Sequence, residues 1–146
     1  MSSLFSSMDV SASGMSAERT RAEILVENLA NADTTRTAEG GPYKRKDVVF
    51  QSGEVGSSFS TILGDQMEQG GTGVQVSQVI TDPRPPDMRY MPGHPDADKD
   101  GFVAFPRVDP AEDMVDLLGT SRSYQANVAA VSAIKDMIQR SIDLFR

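Results

Sequence analysis

The C-terminal part of the chain carries a hydrophobic repeat that limits the shapes it can fold into. The repeat advances by alternating steps of four and three residues, at Leu117, Ser121, Tyr124, Val128, Val131, Lys135, Ile138, Ile142 and Phe145. Steps of this kind place side chains in one seam along a long helix. Asp109, Pro110 and Glu112 are the residue types that cap and begin such a helix. The sequence therefore predicts a helix over residues 110–145.

A second apolar stripe runs beside this seam, at Ala130, Ile134, Met137 and Leu144, so the helix carries more apolar surface than a two-stranded coil buries. The predicted helix is roughly 54 Å long, whereas a compact chain of 146 residues has a diameter of about 38 Å. The seam must therefore be covered by another long helix of the same chain or by neighbouring copies and partners in an assembly. Both alternatives favour a structural protein.

The N-terminal segment predicts a second long helix over residues 4–32. Its apolar residues mostly recur three or four positions apart, at Leu4, Met8, Ser11/Ala12, Met15, Ala22, Leu25, Leu29 and Ala32, which is the spacing of one helix face. Glu18 interrupts that face, and Gly14 costs about 1 kcal/mol relative to alanine inside a helix. We therefore expect residues 1–14 to fray when the chain is alone. Asn31 and Asp33 suit the turn that ends the helix.

The middle of the chain has strand patterns at residues 43–50, 73–80, 88–91 and 101–105. A glycine- and serine-rich insert at about residues 52–72 predicts a mobile loop or a short amphipathic turn. The expected fold is mainly α with a small β part, in which two long terminal helices pack as an elongated, coiled-coil-like hairpin. Residues 1–35 and 110–146 would form one helical domain, and residues 36–109 a strand-and-loop middle region.

Composition excludes several classes of function. The chain has 32 Leu, Ile, Val and Phe residues in total, so any core is thin. Its formal net charge of −7 argues against binding to nucleic acid or anionic lipid through bulk charge. The absence of cysteine excludes disulfides, a thiol nucleophile and cysteine-ligated metal. The N-terminal segment lacks the features of a cleaved signal peptide, and no stretch is apolar enough for membrane insertion.

No catalytic or cofactor constellation emerges from the sequence. Asp96, Asp98 and Asp100 before Gly101 match the opening of an EF-hand calcium loop, but position twelve is Arg107 instead of glutamate, which favours an Asx-rich turn over a cation site. His94 is the single histidine and lies in a turn motif, with no nucleophile elbow elsewhere. The glycines at residues 70–73 lack the phosphate-loop order. The basic residues 44–46 are predicted to solvate a strand edge.

Longer motifs resemble a known family. The strings SASGMSAER at residues 11–19 and ENLANADTT at residues 27–35 are similar to the N-terminal signature of flagellar basal-body rod, hook and related axial proteins. Within that family, YKRKDVVF at 43–50, YMPGHPDAD at 90–98, EDMV at 112–115 and SRSYQAN at 121–127 resemble the proximal rod subunits. The resemblance covers nearly the whole chain apart from the 52–72 insert.

The resemblance implies a structural subunit without enzymatic activity or cofactors, in the proximal rod of the flagellar basal body. Such a subunit would be exported by the flagellar type III apparatus and would polymerise in the periplasm, through its terminal helices, into a torque-transmitting shaft. The implied partners are other copies of the chain, other proximal rod subunits, distal rod subunits, and the export apparatus and base. A free-standing helical adaptor or export chaperone is the alternative, and a calcium-regulated binding module is a further one.

On this interpretation, contacts between helices and subunits involve residues on or beside the two seams. The candidates are Met8, Met15, Leu25, Asn28, Leu29, Asn31, Leu117, Tyr124, Gln125, Asn127, Val128, Val131, Ile138 and Ile142. Among them, the amide and phenol side chains are expected to form hydrogen bonds between helices, although Asn31 could equally cap the first helix. Val131→Asp is expected to block rod assembly while leaving secretion intact.

Overall fold

Along the chain, a long helix comes first, four strands follow, and a second long helix comes last. A computed structural model describes residues 2–54 and 72–143. The elements are α1 (Ser2–Ala30), β1 (Lys46–Glu54), β2 (Thr72–Thr81), β3 (Asp87–Tyr90), β4 (Phe102–Phe105) and α2 (Pro110–Asp143). The expected fold class, mainly helical with a small β part in the middle, is confirmed.

The two helices pack against each other as an antiparallel hairpin. Gly14 of α1 lies opposite Asn127 of α2. Nearer the strands, Arg21 Nη2 lies 3.8 Å from Asp116 Oδ2. These two levels, about two helical turns apart on α1, fix the register of the hairpin.

The ends of the helices follow local chemistry. Asp109 caps α2, because its Oδ1 accepts the backbone N–H of Ala111 at 2.9 Å and of Glu112 at 3.3 Å. The helix α1 ends at Ala30, two residues before the predicted end, and continues into a turn at residues 31–33. The predicted helix end at Phe145 lies outside the described residues.

The strands form two separate antiparallel pairs. In the first pair, β1 and β2 run from Lys46 opposite Thr81 to Glu54 opposite Thr72, with a bulge between Val49 and Phe50. This pair packs against α1. In the second, β3 pairs with β4.

Several predicted boundaries in this region are wrong. The first strand begins at Lys46 instead of residue 43, and the ends of the predicted mobile insert, residues 52–54 and Thr72, belong to β1 and β2. The last predicted strand begins at Phe102, because Gly101 has a φ of +81° and belongs to the preceding turn. The rest of the predicted insert, residues 55–71, lies outside the described residues.

The apolar core is small, as the composition predicts. Its buried apolar side chains are Ala17, Leu25, Tyr43, Val103, Phe105 and Ile134. Many larger apolar side chains on both helices remain exposed, among them Phe5, Val26 and Leu118. Within the described residues, neither helix has the length and hydropathy that crossing a membrane requires.

Candidate functional site

The face of α2 that packs on α1 coincides only in part with the predicted seam. The residues of α2 that are fully buried are Asp113, Thr120 and Ile134, seven or fourteen positions apart. Leu117, Val131 and Ile138 of the predicted seam are half-buried beside them. On the inward side of α2, Asp113 pairs with Arg45 and Asn127 faces Gly14. Part of the apolar seam of α2 faces outward.

The predicted contact residues therefore divide by exposure. Leu25 and Asn28 are buried; Met8, Met15, Leu29, Asn31, Leu117, Asn127, Val131 and Ile138 are half-buried; Tyr124, Gln125, Val128 and Ile142 are exposed. The exposed members lie on α2 from its middle to its far end. The hairpin thus covers one part of the predicted seam and leaves the other part open.

Asn28, Tyr43, Arg45 and Asp113 form a cluster that we call the polar core. Asn28 lies at its centre, with 0% of its surface exposed. Its Oδ1 accepts the hydroxyl of Tyr43 at 2.9 Å and the backbone N–H of Lys46 at 2.9 Å. Its Nδ2 donates to the backbone carbonyl of Lys46 at 2.8 Å. Asn28 therefore joins α1 to the start of β1, and these hydrogen bonds do not reach α2 as the sequence interpretation expected.

Asn31 acts as a helix cap, the second of the two roles considered for it. Its Nδ2 donates to the carbonyl of Glu27 at 2.9 Å, and its Oδ1 accepts the hydroxyl of Thr34 at 3.1 Å. Both bonds lie within the last turn of α1 and the following loop. They hold the chain at the point where it leaves the helix.

Tyr43 titrates abnormally in this environment. Burial, together with the negative charges of Glu27 and Asp113, raises the pKa of its hydroxyl from 10.0 to about 12. The unfolded chain therefore loses this proton at lower pH than the folded chain, and the free energy of unfolding falls as the pH rises from 10 to about 12. Two pH units correspond to about 2.7 kcal/mol.

Urea unfolding at about pH 9 and about pH 11.5 measures this loss. Tyr43→Phe should lose less stability between these two pH values than the wild type, because phenylalanine has no proton to release. Equal losses in both proteins would contradict the assignment. At neutral pH the variant is expected to be about 1 kcal/mol less stable, because it lacks the hydrogen bond to Asn28.

A buried ion pair links the segment before β1 to the first turn of α2. Arg45 Nη2 lies 2.9 Å from Asp113 Oδ1, and none of the Asp113 side chain is exposed. Burial raises the pKa of the Asp113 carboxyl, although the charge of Arg45 opposes that shift. Glu112 and Asp47 lie farther from Arg45, each at 3.6 Å. The prediction that the basic residues 44–46 solvate a strand edge is therefore wrong for Arg45.

Two adjacent residues of α1, Ser13 and Gly14, connect this helix to β2 and α2. The hydroxyl of Ser13 donates to the carbonyl of Val10 at 2.7 Å and accepts the backbone N–H of Val74 in β2 at 3.1 Å. A Cβ placed on Gly14 would lie 3.0 Å from Asn127 Nδ2. Gly14, which looked like a weakness of the helix, therefore gives α2 the space for a close approach.

Two alanine substitutions separate helix propensity from this close approach. Gly119→Ala in α2 should raise the free energy of unfolding by about 0.5–1 kcal/mol, because nothing lies within 4 Å of the added Cβ. Gly14→Ala should bring no such gain and should lower stability, because Asn127 must move. In an Asn127→Ala background, however, Gly14→Ala should be stabilising. A gain at Gly14 equal to that at Gly119, measured by urea unfolding, would contradict this account.

The aspartate-rich loop is an Asx turn, the alternative to the calcium-loop interpretation. Asp98 Oδ1 accepts the backbone N–H of Asp100 at 2.9 Å and of Phe102 at 2.8 Å. Asp96 Oδ2 accepts the hydroxyl of Thr35 at 2.8 Å, which ties the loop to the segment after α1. Within residues 2–54 and 72–143, no group of three or more potential ligands is placed to hold a metal ion.

An open groove lies between the helices, with a volume of about 530 Å³. It is lined by Glu18, Arg19, Ala22, Leu117, Thr120, Ser121 and Tyr124. The Oε2 atom of Glu18 and the hydroxyl of Thr120 are shielded from solvent and have no hydrogen-bond partner among the described residues. In folded proteins such shielded polar atoms are normally satisfied by ordered water or by another polar group.

The contacts of Tyr43, Arg45 and Asp113 in the polar core were not predicted from the sequence. Arg45 and Tyr43 lie in a segment without regular structure, so no periodicity marks them as buried. Asp113 does carry a signal, because it lies four residues before Leu117 and seven before the buried Thr120, in step with a heptad. A charged residue at such a position requires a partner of opposite charge.

Comparison with known proteins agrees with the helical hairpin and its motifs. The family "Flagella basal body rod protein" matches residues 8–36, and the family "Flagellar basal body rod FlgEFG protein C-terminal" matches residues 99–144. These two matches cover most of α1 and all of α2, and the second begins one residue after Asp98 of the Asx turn.

Relatives align along the whole chain. The flagellar basal-body rod protein FlgC of Bacillus subtilis is 44% identical over 96% of this chain and 97% of its own length. The FlgC proteins of Borreliella burgdorferi and Salmonella typhimurium are each 35% identical, over 98% of both chains and 97% of both chains respectively. The chain therefore belongs to the FlgC family of flagellar basal-body rod proteins.

Proposed function

We propose that this rod subunit polymerises through its helical hairpin into the proximal part of the rod. Exposed apolar side chains on α1 and α2 carry the proposal. Val115 and Leu118 are 68% and 61% exposed, and Val128 and Ile142 are 46% and 55% exposed. Groups of large apolar side chains at these exposures are typical of surfaces that partners cover.

In this proposal the helical hairpin and the middle region have different roles. The hairpin, formed by residues 1–35 and 110–146, packs into the wall of the rod. The middle region, residues 36–109, is fixed to the hairpin by Asn28 and by the Arg45–Asp113 ion pair. The buried polar side chains therefore support the fold, and we assign the chain no catalytic role.

We further propose that the chain is exported through the flagellar type III apparatus and assembles in the periplasm. A thin apolar core supports this proposal, because a chain with little buried apolar surface unfolds at low cost and gains most of its stability from neighbours. The neighbours would be further copies, other proximal rod subunits and distal rod subunits. The membrane-embedded base and the export apparatus would lie at one end.

Purified basal bodies, stripped of hook and filament, provide the direct test. Mass spectrometry should detect the chain at several copies per particle in a strain that expresses it. Absence from the particles, together with a stable folded monomer or dimer in the cytoplasm, would overturn the proposal in favour of a chaperone or adaptor.

Val128→Asp tests whether the exposed side of α2 at this position is needed for rod assembly. Val131→Asp also changes a half-buried contact within the chain, whereas Val128 is exposed, so its substitution leaves the hairpin fold intact. Val128→Asp should abolish basal bodies and swimming but preserve secretion and helix content. Val128→Ile is the matched control, because it keeps the apolar surface and should support swimming. Normal basal bodies in the aspartate variant would contradict the assignment of this face.

A further inference from the structure

The two helices present complementary stripes of side chains on different sides of the hairpin. On α1, Glu18, Ala22 and Val26 recur every four residues and therefore lie on one face. On α2, Val115, Leu118 and Arg122 also share a face. Because Thr120 is buried against α1 and Arg122 follows two residues later, about 200° around the helix, this second stripe lies on the side of α2 that faces away from α1.

Each stripe contains one charged side chain without an ion-pair partner among the described residues. The Oε2 atom of Glu18 is shielded from solvent without a hydrogen-bond partner, and Glu18 forms none of the ion pairs of the described residues. Arg122 is exposed and likewise has no ion-pair partner among them. The neighbouring charges Arg19 and Arg21 are already paired, with Glu23 and Asp116. Glu18 and Arg122 are thus available to each other.

The stripes also match in height along the hairpin. Gly14 lies opposite Asn127 and Arg21 opposite Asp116, and both helices rise by about 1.5 Å per residue. A second hairpin placed alongside without axial shift would therefore bring its Arg122 level with Glu18, to within one helical turn. The same placement brings its Leu118 level with Ala22, where the small side chain leaves room for leucine.

We propose that a second copy of this chain docks its Val115–Leu118–Arg122 stripe into the groove beside Glu18, Ala22 and Val26. Arg122 of the second copy donates to the carboxylate of Glu18, and its Leu118 packs over Ala22 between Leu117 and Tyr124. The two stripes differ, so each copy offers one stripe to each of two neighbours. Such a heterologous contact continues from copy to copy instead of closing on itself as a dimer.

This inference rests on the proposed function, because it names the contact through which the hairpins assemble. Disulfide cross-linking tests it cleanly, since the chain contains no cysteine. Two differently tagged versions, Ala22→Cys and Leu118→Cys, are expressed together as the only source of the protein, and basal bodies are isolated after mild oxidation. A disulfide-linked product of twice the 15.8 kDa chain, carrying both tags, is the expected result.

Glu23→Cys paired with Leu118→Cys is the matched control, because Glu23 is exposed on α1 one position beyond Ala22 and should give no product. A product with a single tag would indicate a symmetric contact and overturn the inference. Swimming cells whose basal bodies contain both variants without any cross-link would also overturn it, while leaving the proposed function intact. Absence of the wild-type chain from basal bodies would instead contradict the proposed function.

A charge exchange gives an independent readout. Glu18→Arg and Arg122→Glu should each abolish swimming, because each juxtaposes like charges at the contact. The double variant restores an opposite pair, now with the charges reversed, and should regain swimming. Failure of the double variant to swim better than either single variant, with all three secreted at wild-type levels, would count against a direct contact.

Discussion

Replacement of Asn28 by alanine should lower the free energy of unfolding by about 3–5 kcal/mol. The substitution removes the two hydrogen bonds that Oδ1 accepts and the one that Nδ2 donates. The hydroxyl of Tyr43 and two backbone groups of Lys46 then remain in a buried site without partners. A chain with a thin core has little stability in reserve, so this loss should make much of the isolated protein unfold.

Asn31→Ala is the control for this experiment, because the residue is of the same type and lies three positions later on α1. Its hydrogen bonds lie within a half-buried turn, and its loss should cost only about 1 kcal/mol. Urea unfolding of both variants measures the difference. Similar losses at the two positions would show that Asn28 does not connect α1 to β1 in the way described.

Arg45→Met should be about as destabilising, at about 3–5 kcal/mol near neutral pH. The Asp113 carboxylate would remain fully buried without the guanidinium that lies 2.9 Å from it. Lys44→Met is the matched control, since Lys44 is exposed and its substitution should change stability by less than about 0.5 kcal/mol. Equal effects at the two positions would contradict a buried ion pair.

The loss of stability caused by Arg45→Met should also depend on pH. Burial already raises the pKa of Asp113, and removal of Arg45 raises it further. A folded chain that holds this proton more tightly than the unfolded chain loses stability as the pH rises through the folded-state pKa, so the variant should approach the wild type near pH 4. The double variant Arg45→Met/Asp113→Leu should lose this pH dependence and recover most of the stability.

The terminal helices could be predicted from the sequence because their periodicity extends over many turns. The capping residue Asp109 could also be predicted from the sequence, because side-chain capping depends only on neighbouring positions. The start of β1 could not be predicted in the same way. Tyr43 has a strong strand preference, but its position is decided by Asn28, which lies fifteen residues earlier in the chain and binds the backbone of Lys46.

The orientation of α2 shows why the candidate surface was predicted only in part. Hydrophobic spacing identified Leu117, Val131 and Ile138, which are half-buried in the described structure. It could not show that Asp113 and Asn127 lie on the inward side of α2, because their contacts depend on Arg45 and Gly14 elsewhere in the chain. Residues such as Val128 are consequently available on the surface of the subunit.

The close approach at Gly14 also bears on how the subunit responds to mechanical load. Ser13 is bonded to β2 and Gly14 is opposed by Asn127 of α2, on adjacent positions that point about 100° apart around α1. A rotation of α1 about its own axis would disrupt both contacts at once. The helix is thereby fixed against spinning as well as against sliding. A twisting force applied along the hairpin would thus turn both helices and the first strand pair together as one stiff body.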